Sequence, residues 1–424
     1  MGVVSIRHRL ASLLGQTHSG RRDLYEVFGY EDKLTFEHYY GKYRRQNLAR
    51  RIVNLPANAT WLGGVRPVAS NEFLNQWDEL NQHNKITNAF KVVDKLAGLG
   101  HFAVLILGFQ DNTRLEQPAT RAEGLAYLQP YSEGSVKIHK FVTDPNSDRF
   151  GLPEMYKIEP KHIDNTHLSG QPTQIDAFMV HHTRVIHVAE DALENPLIGT
   201  PRLEPVFNDL DDLLKVSGGT AETYWITSNR GMQADLDPES DLTKDEMEKL
   251  EDELERYQHQ LSRIMKTRGV TLNSLGSDTP SPKEAFNVLI SLIAGTTGIP
   301  QRILLGSEAG HLASEQDRAN WSSRITERRE EFAEPSILHP TVERLRSVGL
   351  LPDEEPSNYA WQDPFILSPL ERGQTMAQVG RAAVNLHKQL EENPILTRDE
   401  ARTILGFEGE APEPTEPPDT GTEP

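Results

Sequence analysis

Between residues 283 and 332 the spacing of apolar positions changes repeatedly, and each change predicts an element. Phe286, Leu289, Ile290, Leu292 and Ile293 recur at helical intervals and predict a helix with a buried or partner-facing stripe. Gly295 and Gly298 loosen it, and Pro300 stops it. After the apolar hook at 303–305, Gly306 and Gly310 bracket a loop that must turn sharply, because glycine alone enters positive φ without strain. Ser314 reads as the start of a second helix, with Asp317 three residues on to reinforce the cap and the helix dipole. That helix carries Trp321, Ile325 and Phe332 among Arg324, Arg328 and Arg329, and Pro335 and Pro340 are expected to kink it.

The same reading extends along the chain. Residues 36–53 and 71–99 each predict one helix, the latter ended by Gly98 and Gly100. A strand is expected over 101–109, then a strand-rich region to about Val188. In 178–188, FMVHHTRVIHV, strict alternation would put His181, Thr183 and His187 on one face and His182 and Arg184 on the other. A helix over 201–226 follows, with Gly218 and Gly219 permitting a bend or a close approach. An acidic helix is expected over 245–264, and a last helical unit over 368–390, after a break at Pro352 and Pro356. Thr397 with Glu400 forms a capping box, and the tail from Glu408, rich in proline and acid, predicts disorder.

Composition narrows the function classes. With 424 residues, 37% of them hydrophobic, the chain has enough material for two or three packed units, and no run approaches the roughly 18 apolar residues of a membrane span. The amino terminus does not read as a secretory signal. The absence of cysteine excludes disulfides, thiol nucleophiles and cysteine-based zinc sites. A net charge of −19 argues against wrapping of DNA by the whole surface, but not against a channel through which DNA slides. The first 58 residues depart from this average: Arg44-Arg45 and Arg50-Arg51 offer a patch for an acidic partner, with a solvated helix face as the simpler reading.

The run Gly298-Ile299-Pro300, then residues 303–306, Gly310 and a long polar helix resembles the core of tailed-phage portal proteins. The segment HHTRVIHV followed by Gly199-Thr200-Pro201 likewise resembles the portal strand that leads into the first stem helix. The resemblance implies an α+β, portal-like fold: a basic helical segment over 1–58, an α/β wing over 59–200 and a first stem helix over 201–226. An acidic clip over 227–280 and a second stem helix over 281–300 come next. The tunnel loop and long kinked helix would take 301–350, crown helices 351–407, and the acidic tail 408–424.

It further implies a ring, typically of twelve subunits, at one capsid vertex, through which terminase drives double-stranded DNA and to which a head–tail adaptor attaches. The major capsid or scaffolding protein is a further implied partner. In the tunnel loop, Ser307, Glu308 and His311 would face the duplex through its phosphates, since every sequence must pass. His311 alone is more simply an interface residue. Arg230, Lys266 and Arg268, at the clip edges, would contact DNA or a partner.

No catalytic site, metal or cofactor is expected. Walker, HExxH and G-x-S-x-G patterns are all missing. His181 and His187, six strand residues apart, would lie ~20 Å from each other, too far to share an ion. Two alternatives stay open: a two-histidine phosphodiesterase using His167-Leu168-Ser169 and His181-His182-Thr183, and an oligomeric scaffold without a DNA channel.

Overall fold

The computed structural model describes residues 24–160, 176–228, 232–236, 270–274, 281–306 and 311–362, with isolated helical positions within 243–252 and 377–381. Residues 1–362 and 363–424 form separate units, and of the second only Ala377, Gln378, Gly380 and Arg381 are described, as helix. The crown, the capping box at Thr397 and the acidic tail therefore lie outside the described residues.

The first unit is built around strand β2 (Ala103–Phe109), buried along its whole length. Its side chains alternate between two cores, as the twofold strand period requires. Ala103, Leu105, Leu107 and Phe109 pack with helices α4 (Asn71–Asn84) and α5 (Ile86–Leu99) and with residues 332–351. Val104 and Ile106 face the other way, into a smaller core with Val136, Tyr156, Ile158, Val180 and Val185. One antiparallel sheet has the order β3–β2–β7, with β3 Leu125–Ser132 and β7 Val185–Val188. The other has the order β4–β5–β6, with β4 Val136–Phe141, β5 Pro153–Ile158 and β6 Phe178–His181.

Three expected elements divide. Residues 36–53 form α2 (Phe36–Arg45) and α3 (Asn47–Thr60), separated by an extended Gln46. The Gln46 amide and the Lys42 ammonium both reach across to backbone carbonyls, of Leu210 and Phe207 respectively, at 2.7 Å each. Residues 71–99 divide at Lys85, which takes φ 53°, and Asn81 Oδ1 accepts from the N–H and hydroxyl of Thr87 to open the second helix. Residues 178–188 are not one strand. A tight turn at His182–Arg184 carries the chain from one sheet to the other, so the alternation expected through His187 does not hold.

The helix expected from 201 begins later. Residues 204–206 make a single 3-10 turn, and α6 runs Phe207–Ser228. Within the acidic segment, Asp245, Met247, Glu248, Lys249 and Asp252 are helical and the rest falls outside the described residues. Two strands that the pattern does not announce, β8 (Met232–Leu236) and β9 (Val270–Ser274), pair antiparallel at the base of that insertion.

Helix α7 (Lys283–Thr297) ends at Gly298 with φ 63°, and the short α8 (Gln301–Leu305) ends at Gly306 with φ 73°. The next helix, α9 (His311–Arg328), opens before Ser314, so Ser314 lies inside it and Asp317 faces Arg302 at 3.8 Å instead of serving a cap. From Arg329 to Leu338 the helix widens into π turns, and α10 (His339–Ser347) continues it. Pro335, which has no N–H to donate, is taken up by this widening, and the His339 N–H reaches back to the Glu334 carbonyl. The expected kink is thus a wide-turn segment within one continuous helical run. After it, β10 (Asn358–Trp361) pairs with β1 (Val65–Val68).

Candidate functional site

Helices α6 and α7 pack against each other and carry the features that the sequence marks out. Leu210 and Leu213 of α6 and Ile290 and Ile293 of α7 are buried. Other apolar side chains on the same helices stand in the open: Leu214, Tyr224 and Trp225 on α6, and Phe286, Val288 and Leu292 on α7, with Trp225 at 75% exposure. Isolated apolar residues on a surface are ordinary, whereas two paired helices carrying several are the mark of a surface awaiting a partner. Gly218, Gly219 and Gly295 also look onto open space.

The base of α6 is tied to the rest. Lys42 Nζ lies 2.7 Å from Asp211 and 3.5 Å above the Phe207 ring. Tyr30 donates to Asp212 at 2.5 Å, and burial, then this carboxylate, push its hydroxyl up to about 12. Lys215 donates to the Phe28 carbonyl at 2.8 Å. The segment from α1 (Leu24–Phe28) to Tyr30 is thereby fastened to α6.

Where α7 meets the long helix, four charged side chains from distant segments meet. Asp94 of α5 is fully buried and accepts from Arg328 at 2.6 and 3.0 Å, from Arg202 at 2.7 Å and from Trp61 Nε1 at 2.7 Å. Glu190 bridges the same two arginines, at 2.8 Å to Arg328 Nε and 2.8 Å to Arg202 Nε. Arg202 also donates to the Val53 carbonyl at 2.6 Å, and Arg328 to the Thr60 hydroxyl at 2.6 Å. Burial alone would raise Asp94, but the two guanidiniums outweigh it and hold the carboxyl below its usual range. Burial likewise opposes the charge on Arg328, and Asp94 with Glu190 more than restores it.

This cluster forms one wall of a cavity of about 640 Å³ between α3, residues 189–205, the end of α7 and the long helix, with Arg324, Glu327 and Glu331 at its exposed rim. A neighbouring guanidinium, Arg329, is buried as well, donating to the carbonyls of Thr60 at 3.0 Å and Gln362 at 2.9 Å. Arg51 donates to the Ile303 carbonyl at 2.7 Å and holds α8 against α3. The cluster locks α3, α5, residues 190–202 and the long helix to one another at the root of the α6–α7 pair.

The residues proposed to face DNA are placed only in part. Ser307 and Glu308 lie outside the described residues, as do Arg230, Lys266 and Arg268. The backbone of His311 starts α9, and its side chain is outside them. His167 is outside them too. His181 is engaged locally: its Nδ1 accepts from the Thr183 N–H at 3.4 Å and lies 3.0 Å from the Thr183 hydroxyl, shaping the turn between the sheets. His187 donates through Nε2 to the Leu197 carbonyl at 2.9 Å. Among the described residues no cluster of three metal-binding side chains occurs, and no helix is long and apolar enough to cross a membrane.

Asp94, Glu190 and Arg202 went unmarked in the sequence. The available signal was Asp94 itself, a carboxylate inside the buried stripe of Phe90, Val93 and Ala97, a position that demands a partner.

Comparison with known proteins follows the same outline. The family described as phage portal protein matches residues 38–386. No curated protein matches the chain. Among solved structures, the neck of a native GTA particle, computed with C12 symmetry, is similar at 13% identity and TM-score 0.53, covering 87% of this chain and 93% of that one. The neck of an empty GTA particle with C6 symmetry gives 13% and 0.54, covering 95% and 99%. The virion of a native gene transfer agent particle gives 15% and 0.54, with the same coverage of 95% and 99%. These likenesses show a shared fold along nearly the whole length, and the family match embraces both three-stranded sheets, the α6–α7 pair and the long helix. The chain belongs to the phage portal protein family.

Proposed function

We propose that copies of this chain close into a ring at one vertex of a capsid, and that double-stranded DNA passes through the centre during packaging and ejection. The observation that carries this reading is the α6–α7 pair, on which Trp225 and Leu292 are exposed apolar side chains among the described residues. Repeating the pair around an axis would bury those faces against neighbouring copies. A twelvefold ring is the number we favour, by analogy with the C12 symmetry of the similar GTA neck.

In this reading the domain divisions drawn from the sequence apply: wing, paired stem helices, clip, tunnel loop with long helix, and crown. Gly298 and Gly306 hold α8 at the root of the stem. Ser307, Glu308 and His311 follow at the narrowest part of the channel, where contacts would be to phosphate and not to base edges. Arg230, Lys266 and Arg268 would edge the clip, where terminase and then the adaptor dock. The role is structural and not catalytic, and its place is the portal vertex of the virion, after assembly in the host cytoplasm.

The test is an image and a mass of the purified chain. Rings with a central hole support the reading. Compact particles without a hole favour the scaffold, and cleavage of a phosphodiester lost on His181→Ala would favour the two-histidine enzyme.

A further inference from the structure

Arg149, His181 and His182 lie at one end of the β4–β5–β6 sheet, within reach of the charge of Arg344. Backbone pairing sets Met155 of β5 opposite His181 of β6, and the ring of the next residue, His182, lies 4.4 Å from that of His181 between centroids. From the loop entering β5, Arg149 donates through Nη2 to the Pro153 carbonyl at 2.9 Å. From α10, Arg344 brings a second guanidinium whose charge bears on the same imidazole.

Three buried nitrogens in this group have no hydrogen-bond partner among the described residues: the Arg149 Nε and Arg344 Nε donors, and His182 Nδ1, which donates in its Nδ1–H tautomer. The carboxylates that bear on the group are Glu154, already paired with Lys140 at 2.8 Å, and Glu343 on the helix of Arg344. Burial, then the charge of Arg149, hold the His182 imidazole down to about 4, and burial with Arg149 also lowers Arg344 despite Glu343. Buried donors without acceptors and crowded cations are each costly, and one ligand relieves both.

We infer that Arg149, His182 and Arg344 form a binding site for a tetrahedral oxyanion of the phosphate type, with His181 setting the ring of His182. The donors reach the group from a loop, a sheet turn and a helix. That divergence suits a tetrahedral anion with acceptors on every side better than a planar carboxylate, which one guanidinium fork would take by itself. The phosphate is either free or part of a nucleic-acid backbone. The inference does not depend on ring formation.

The experiment is calorimetric titration of the full chain with sulfate, which keeps its charge across neutral pH, against chloride at matched ionic strength. The expected result is saturable binding at one sulfate per chain, weakened about 10-fold or more by Arg344→Gln and by Arg149→Gln. Arg346→Gln, whose partner is Asp353, leaves it unchanged. His182→Gln gives the same loss at a half-exposed position, should an arginine variant fail to fold, and sulfate density beside His182 in a map of the wild-type protein gives a readout free of substitutions. Displacement of sulfate by duplex DNA identifies the backbone as the source, and its persistence identifies free phosphate. Sulfate no better than chloride, binding untouched by the substitutions, or an acidic peptide binding where sulfate does not, overturns the site.

Discussion

Arg328 and Asp94, 234 residues apart in sequence, meet in a two-pronged ion pair at 2.6 and 3.0 Å, and this contact joins the long helix to α5. Asp94 is sealed from solvent and the cluster balances Asp94 and Glu190 against Arg202 and Arg328, so removing one member leaves a buried net charge. Asp94→Ala should cost about 3–5 kcal/mol of stability. Arg328→Gln should cost a similar amount, because Arg202 alone then faces Asp94 and Glu190. Denaturant unfolding of the unassembled chain measures both, and a loss under about 1 kcal/mol, the range of exposed pairs, would show the cluster to be solvated.

Gly298 sits at φ 63°, and the guanidinium of Arg324 lies directly over it, 2.3 Å from where a Cβ would be. Gly298→Ala meets strain in the backbone and an obstacle in space. A destabilisation of about 1–2 kcal/mol is expected from the left-handed backbone, with a further small penalty as Arg324 swings away. Adding Arg324→Ala should recover only that second part, which a double-mutant cycle on melting curves measures.

The His101 ring lies 3.1 Å from Glu133, and that hydrogen bond, opposed by burial, raises its pKa. A raised histidine pKa stabilises the fold fully below the ordinary value of about 6.5, and the gain is lost as pH rises through the folded value. Wild-type stability should therefore fall relative to Glu133→Gln on going from about pH 6 to about pH 9, by on the order of 0.5–1 kcal/mol. Parallel melting curves across this range test it, and identical curves would contradict it.

Trp225 and Leu292 should matter to assembly and not to the fold of one chain. Trp225→Asp and Leu292→Asp are expected to leave circular dichroism unchanged while shifting the population from rings to single chains. Gly218→Ala with Gly219→Ala sharpens the distinction. Both glycines face open space within one chain, so each alanine should stabilise the helix by roughly 0.5–1 kcal/mol. If neighbours approach closely there, the same change should hinder assembly, and native mass spectra report both effects.

The elements legible in the sequence were those whose apolar spacing is long and uninterrupted: β2, α6, α7 and the helix through Trp321 and Ile325. The order of segments also carried the family resemblance. Breaks imposed by side chains reaching across the fold were not legible. Gln46 and Lys42 bond to carbonyls more than 160 residues away, and nothing local to 36–53 announces them. The turn at His182–Arg184 was hidden because β-branched and apolar residues on both sides continue the strand pattern while the partner sheet changes. β8 and β9 were missed because MQADL and VTLNS are short, polar and far apart, so their pairing depends on closing a long loop. At the site, Gly306 was read correctly as a turn position, since its conformation is a local matter, whereas Gly298, read as loosening the helix, is the left-handed residue that ends it. The Asp94–Arg328–Arg202–Glu190 cluster needed α5, residues 190–202 and the long helix to be folded first.

The most direct test of the central claim is electron cryo-microscopy of the purified full-length chain, with the subunit number counted by native mass spectrometry. The account predicts a closed ring in which the α6–α7 pairs pack side by side, burying Trp225 and Leu292 around a hole wide enough for a DNA duplex. Single chains under every assembly condition, or copies packed with that face still open and no hole, would contradict it.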